Sequence, residues 1–147
     1  MTQNEFITKT ETFSSPYRWS SSRDTAVFFH EVMKHRRIVG RRCAQCNRVI
    51  IPPSGFCEFC FAESGDFVVV GNGGYVTAMA KKGDHSLALI KLDGAGTSLL
   101  HIVKERGTEK ACVGSYVRAE FADQPRGNIL DSPFIPRREL PGTTDIP

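Results

Sequence analysis

The stretch Cys43-Ala44-Gln45-Cys46-Asn47-Arg48-Val49-Ile50-Ile51-Pro52-Pro53-Ser54-Gly55-Phe56-Cys57-Glu58-Phe59-Cys60 decides how the chain folds. It holds two Cys-x-x-Cys pairs ten residues apart, with an apolar run and Pro-Pro between them. Four thiolates at this spacing can surround one Zn²⁺, two from each tight turn. After Cys46 the chain must reverse, and Asn47 is one of the few non-glycine residues that tolerate the left-handed conformation. Disulfides, a redox pair and a four-cysteine iron site share the spacing. The redox reading is weakened because no βαβ pattern surrounds either pair. A set of four protein ligands has no open position, so the metal is expected to be structural.

Working upstream, Ile38-Val39-Gly40-Arg41-Arg42 reads as a strand entering the first turn, and Val49-Ile50-Ile51 as its return. Pro52-Pro53 ends that return, since proline donates nothing to a ladder. Before it, Ser22 or Asp24 can cap a helix running to about His35, with Phe28, Phe29, Val32 and Met33 on one stripe. Packing is the commoner use of such a stripe. A unit this small cannot fold on apolar burial alone, so a metal would have to stabilise it. Residues 1–22 are polar with scattered aromatics, among them Tyr17 and Trp19, and read as an extended arm.

Downstream the texture changes to short apolar segments between glycine turns: Phe67–Val70, Tyr75–Ala80, Leu87–Leu92, Leu99–Val103 and Val113–Phe121. Asp93-Gly94 between two apolar runs is a hairpin signal. Five short strands without a helical stripe suggest a small closed barrel of the OB type. Residues 128–136 could add an edge segment, and the polar, proline-bearing stretch from 137 to 147 reads as a flexible tail. The expected organisation is mainly β, with an arm over 1–22, helix plus ribbon over 23–66, a barrel over 67–136 and a tail over 137–147.

The composition, with 40% hydrophobic and 24% charged residues, is that of a soluble globular chain, and no apolar run is long enough to span a membrane. No signal-peptide pattern opens the sequence, and a cytoplasmic location is the expectation. The net charge of +3 is unevenly spread, because Lys34 to Arg48 holds six cations and no carboxylate. Such a run is either a solvated ribbon face or a contact for an anion.

In order, the helix, the four-cysteine ribbon with Pro52-Pro53, Gly73-Gly74-Tyr75-Val76, Lys91-Leu92-Asp93-Gly94 and Val113-Gly114 resemble the DUF35 family. That family pairs a rubredoxin-like zinc ribbon with an OB-fold, and the resemblance spans roughly residues 17–136. Departures are Asn47, Ser54 and Glu58, where the family often has Gly, Arg and Pro. The resemblance implies an accessory subunit beside a thiolase-superfamily protein, in a hetero-oligomer such as two copies of each. The implied reaction is thiolytic cleavage of a 3-oxoacyl-CoA such as benzoylsuccinyl-CoA, with hydratase and aldolase partners as variants. On this reading the chain supplies structural zinc through Cys43, Cys46, Cys57 and Cys60 and no catalytic residue. Arg36, Arg37, Arg41 and Arg42 would meet the phosphates of coenzyme A. Tyr17, Trp19, Phe28, Phe29, Phe59 and Phe61 would face the partner, with CoA at or near that interface.

Two other readings compete on the residues. Catalysis by this chain would need a nucleophile, and Cys112 is the one cysteine outside the pairs. Its place at the start of a predicted strand suits a small buried residue better. His101 shares a face with Leu99 and Val103, which favours a core histidine over a base. Binding of single-stranded nucleic acid would need aromatic platforms on the second and third barrel strands. Leu87–Leu92 and Leu99–Val103 contain none, so this reading ranks below the accessory one.

Overall fold

A computed structural model describes residues 9–16, 18, 20–82, 85–105, 110–125 and 132–136. The expected tail and much of the arm, including Tyr17 and Trp19, lie outside the described residues; the described part of the arm is exposed and irregular. Among the described residues one helix, α1 (Arg23–His35), precedes eight strands: β1 (Ile38–Cys43), β2 (Val49–Ile50), β3 (Ser64–Val70), β4 (Gly73–Lys82), β5 (His85–Leu92), β6 (Leu99–Val103), β7 (Tyr116–Ala119) and β8 (Phe134–Pro136).

Helix α1 begins where Ser22 Oγ accepts the Thr25 N–H at 3.2 Å, and Asp24 adds favourable charge to the first turn. It ends as Arg36 turns left-handed at φ 51° and returns its N–H to the Glu31 carbonyl. The expected stripe is the buried face, with Phe28 and Val32 buried and Phe29 and Met33 half-buried. It packs on β1.

The ribbon is a three-stranded antiparallel sheet in the order β2-β1-β3. This corrects the expected strand count, which gave Phe67–Val70 to the barrel. Val70, Val69, Val68 and Phe67 instead pair with Ile38, Val39, Gly40 and Arg41 of β1. Gly40 sits at the centre because a Cβ there would lie 2.7 Å from the Ile50 carbonyl oxygen and 2.8 Å from Val49 Cγ1.

The barrel closes in the order β4-β5-β6-β8-β7, an OB-like arrangement. Its fifth strand is the segment expected at an edge: Phe134 pairs in parallel with Val103, and Ile135 antiparallel with Arg118. Strand β7 is shorter than the expected Val113–Phe121. Cys112 and Val113 lie before it in an exposed turn, so the expectation of a buried cysteine fails.

The barrel and ribbon share a core. One buried apolar cluster runs from Phe28 and Val32 through Ile38, Val39, Val49, Ile51 and Val70 to Ile90, Leu99, Val117 and Phe134. The connection between β5 and β6 fastens the two by backbone bonds. Gly71 N–H donates to Asp93 O at 2.8 Å, and Gly96 N–H to Val49 O at 2.7 Å. Thr97 Oγ1 accepts from Ile51 N–H at 2.7 Å and donates to Ile51 O at 2.8 Å.

Candidate metal centre and the face beside it

Each Cys-x-x-Cys turn is built the same way. Cys43 N–H donates to Arg48 O, and Asn47 N–H returns to Cys43 O. Fourteen residues on, Cys57 N–H donates to Ala62 O, and Phe61 N–H returns to Cys57 O. Both return residues are left-handed, Asn47 at φ 60° and Phe61 at φ 59°. The repeated hairpin turns all four thiols inward, and their Sγ atoms lie within 4.8 Å of one another. Cys43 and Cys60 approach to 3.4 Å, and Cys46 and Cys57 to 3.6 Å. A tetrahedron with Zn–S bonds of about 2.3 Å has S···S edges of about 3.8 Å, so the donor set fits zinc.

The turns also prepare the thiols electrostatically. The Cys46 N–H, 3.4 Å from Cys43 Sγ, is the main cause bringing the Cys43 thiol down to about 6, against the penalty of burial. The Cys60 N–H lowers Cys57 in the same manner. For Cys60 the Ala62 N–H also pulls downward, but the neighbouring Cys43 thiol and burial prevail and raise it to about 11. The backbone N–H groups thus favour the thiolate form at Cys43 and at Cys57, one in each turn. Four protein donors complete a structural zinc site and leave it no place for substrate.

Beside this centre the second turn is aromatic outside. Phe56, Phe59 and Phe61 are exposed, Phe61 most of all at 80%. The Arg48 guanidinium lies 4.0 Å above the Phe59 ring. Sequence reasoning named Phe59 and Phe61 but missed that Phe61 holds a left-handed backbone. The signal was available, because Phe61 follows Cys57 at the offset by which Asn47 follows Cys43.

The four arginines of the basic run do not converge. Arg36 reaches Asp123 at 3.4 Å, Arg37 is bonded to Glu31, and Arg42 donates to Asn47 Oδ1 at 3.1 Å. Arg41 is committed inward: Nε donates to Gly65 O, one terminal nitrogen to Ser64 O, the other to Asp24, and Phe67 lies under the plane. The Arg37 bond lowers the Glu31 carboxyl below its usual range and raises Arg37. An open polar cleft lined by Arg23, Asp24, Arg41, Gly65, Asp66 and Phe67 measures about 230 Å³. That is below the usual range of small-molecule sites.

The other candidates are dispersed. His101 is buried in the barrel, edge-on to Phe134 at 5.2 Å, and its Nδ1 accepts the Ile102 N–H. Cys112 is exposed, with Ser115 Oγ 3.3 Å from its sulfur. Phe28 is buried and Phe29 half-buried against the chain's own core. No described helix is long and apolar enough to cross a membrane.

Comparison with known proteins agrees with this geometry. Residues 31–65 match the family model described as the ChsH2 rubredoxin-like zinc ribbon domain. The solved Ltp2–ChsH2(DUF35) aldolase shares 26% identity and a TM-score of 0.59, over 81% of this chain and 98% of the other. A DUF35 protein of unknown function from Sulfolobus solfataricus shares the fold at 20% identity and a TM-score of 0.59, over 80% and 87%. No curated protein matches the chain in sequence. The ribbon, the closed barrel and these relatives together support placing the chain in the DUF35 family.

Proposed function

We propose that the chain is the accessory subunit of an enzyme complex acting on an acyl-CoA, with the reacting groups in its partner. The observation that carries this reading is Phe61. A phenylalanine held left-handed costs about 1–2 kcal/mol relative to an unstrained residue, and burial does not repay it at 80% exposure. Covering by another chain would. Phe56 and Phe59, beside the same turn, are exposed as well, and aromatic residues supply much of the energy of interfaces.

A second apolar face supports the same reading. On the outside of the barrel Ala78, Leu89 and Leu100 form one cross-strand row, and Ala80, Leu87 and Ile102 the next. Leu100 is 60% exposed. This surface is aliphatic, so it lacks the stacking platforms that single-stranded nucleic acid requires.

The partner we infer first is a thiolase-superfamily subunit, as in the small subunit of benzoylsuccinyl-CoA thiolase, with cleavage of a 3-oxoacyl-CoA as the reaction. An aldolase partner is the second reading, favoured by the solved relative, which is an aldolase containing a DUF35 component. Where this chain touches the phosphates of CoA, Arg36, Arg37 and Arg42 can turn outward from exposed or short-range partners. Arg41 is held by the fold.

Co-expression with the partner gene and affinity purification test the proposal. The wild type should retain a stoichiometric subunit. Phe61→Gly should gain about 1 kcal/mol of stability, by relief of the left-handed strain, yet hold the partner at least tenfold less tightly. A variant that gained stability and bound as before would remove the docking role from Phe61. A wild-type chain that purified alone and bound single-stranded DNA would overturn the accessory reading.

A further inference from the structure

Away from the cysteines, the end of α1 brings together His30, Glu31 and His35. Their donor atoms all lie within 4.8 Å of one another. The two imidazole rings stand 5.7 Å apart at 63°, edge to face. His30 and His35 are both solvent-facing, so the open side of the cluster is accessible.

Glu31 divides its carboxylate between two neighbours. Oε1 lies 3.9 Å from His30 Nδ1, while Oε2 accepts from Arg37 Nε. The bond to Arg37 engages Oε2 and leaves Oε1 on the side of His30. Ligating carboxylates are commonly held this way by a hydrogen bond behind the metal. The local turn makes the cluster: α1 stops at His35, and Arg36 and Arg37 fold back on Glu31 through their backbone N–H groups, both directed to the Glu31 carbonyl.

We propose that His30, Glu31 and His35 form a second, surface metal site for a divalent ion of the zinc, nickel or copper type. Two imidazoles and one carboxylate suit these borderline ions better than magnesium or calcium, which prefer oxygen donors alone. Three protein ligands leave positions open for water or an external donor, in contrast to the completed four-cysteine set. Arg37 is a positioning residue here, because it holds the carboxylate and does not touch the ion.

Calorimetric titration of the zinc-loaded full chain with Ni²⁺ tests this. One ion per chain should bind, with affinity falling at least tenfold in His30→Ala, in His35→Ala and in Glu31→Gln. His85→Ala, at an exposed histidine on β5, should bind as the wild type does. Arg37→Ala should bind about 10-fold more weakly with the stoichiometry kept, as expected when an outer hydrogen bond to a ligand is lost. Absence of binding in the wild type overturns the site, as does binding unaffected by His30→Ala and His35→Ala. Tighter binding in Arg37→Ala would show that Arg37 competes with the ion and would overturn its positioning role. Because the substituted side chains are exposed or lie on the helix surface, circular dichroism with unchanged thermal unfolding serves to confirm the fold of each variant.

Discussion

Tyr116 shows how single contacts in this barrel are set by what surrounds them. Its hydroxyl donates to Asp93 Oδ2 at 2.6 Å, and its ring meets Tyr75 edge-on at 5.0 Å. Gly73 makes room for it, since a Cβ there would lie 2.3 Å from the Tyr116 oxygen. Burial first, and then the bond to Asp93, raise the phenol to about 12. The folded value lies above the ordinary tyrosine value of about 10, so the proton is held more tightly in the folded state. The stabilisation is therefore complete below pH 10 and is lost as pH rises through 12. Tyr116→Phe keeps the ring and removes the donor. At pH 9 it should be less stable by about 1–2 kcal/mol, and the gap should close between pH 10 and 12. Denaturant unfolding at a series of pH values measures it, and a gap that stayed constant would refute the assignment.

Among the elements, the β5–β6 connection joins the ribbon to the barrel. Thr97 satisfies both the N–H and the carbonyl of Ile51 through one hydroxyl, at the point where the ribbon meets the barrel. Thr97→Val keeps the shape and leaves both backbone groups without that partner. It should cost about 1–3 kcal/mol, read as a lower melting temperature, while Thr97→Ser should recover most of the loss. Equal stability of all three proteins would mean that water replaces the hydroxyl. This clasp was not legible in the sequence, where Asp93-Gly94 signalled only a turn. The metal ligands, α1 and its stripe were legible, because spacing, capping and helical period are local properties. Strand membership was not. Phe67–Val70 reads equally well as the last ribbon strand or the first barrel strand, since a buried apolar run does not name its partner. The stretch ending in Phe134–Pro136 reads as an edge segment, yet it closes the barrel, with Pro136 buried beside Val117. The basic run reads as one patch in the sequence, but side chains alternate along β1, so Arg41 turns in and Arg42 turns out.

At the scale of the molecule, the ribbon is the wall of the same core that fills the barrel. Ile38, Val39, Val49, Ile51 and Val70 from the ribbon join one apolar cluster with Ile90, Leu99 and Phe134. The second knuckle, with its exposed aromatics, is in turn shaped by Cys57 and Cys60. Zinc held by the four thiolates would therefore stabilise both the core and the docking face, with apparent binding energies of about 10–16 kcal/mol known for such sites. Loss of the metal should not release an intact barrel from an unfolded ribbon. Calorimetry of the zinc-loaded chain should show one transition, moved to a much lower temperature by chelator or by Cys43→Ser. Two separated transitions would mean that the barrel stands alone. In the complex, Cys43→Ser and Cys60→Ser should abolish assembly first, with activity lost only as a consequence. A variant that assembled in full and had nonetheless lost activity would place this centre in the chemistry itself, because a purely structural metal has no other route to the reaction than the shape of the face it holds.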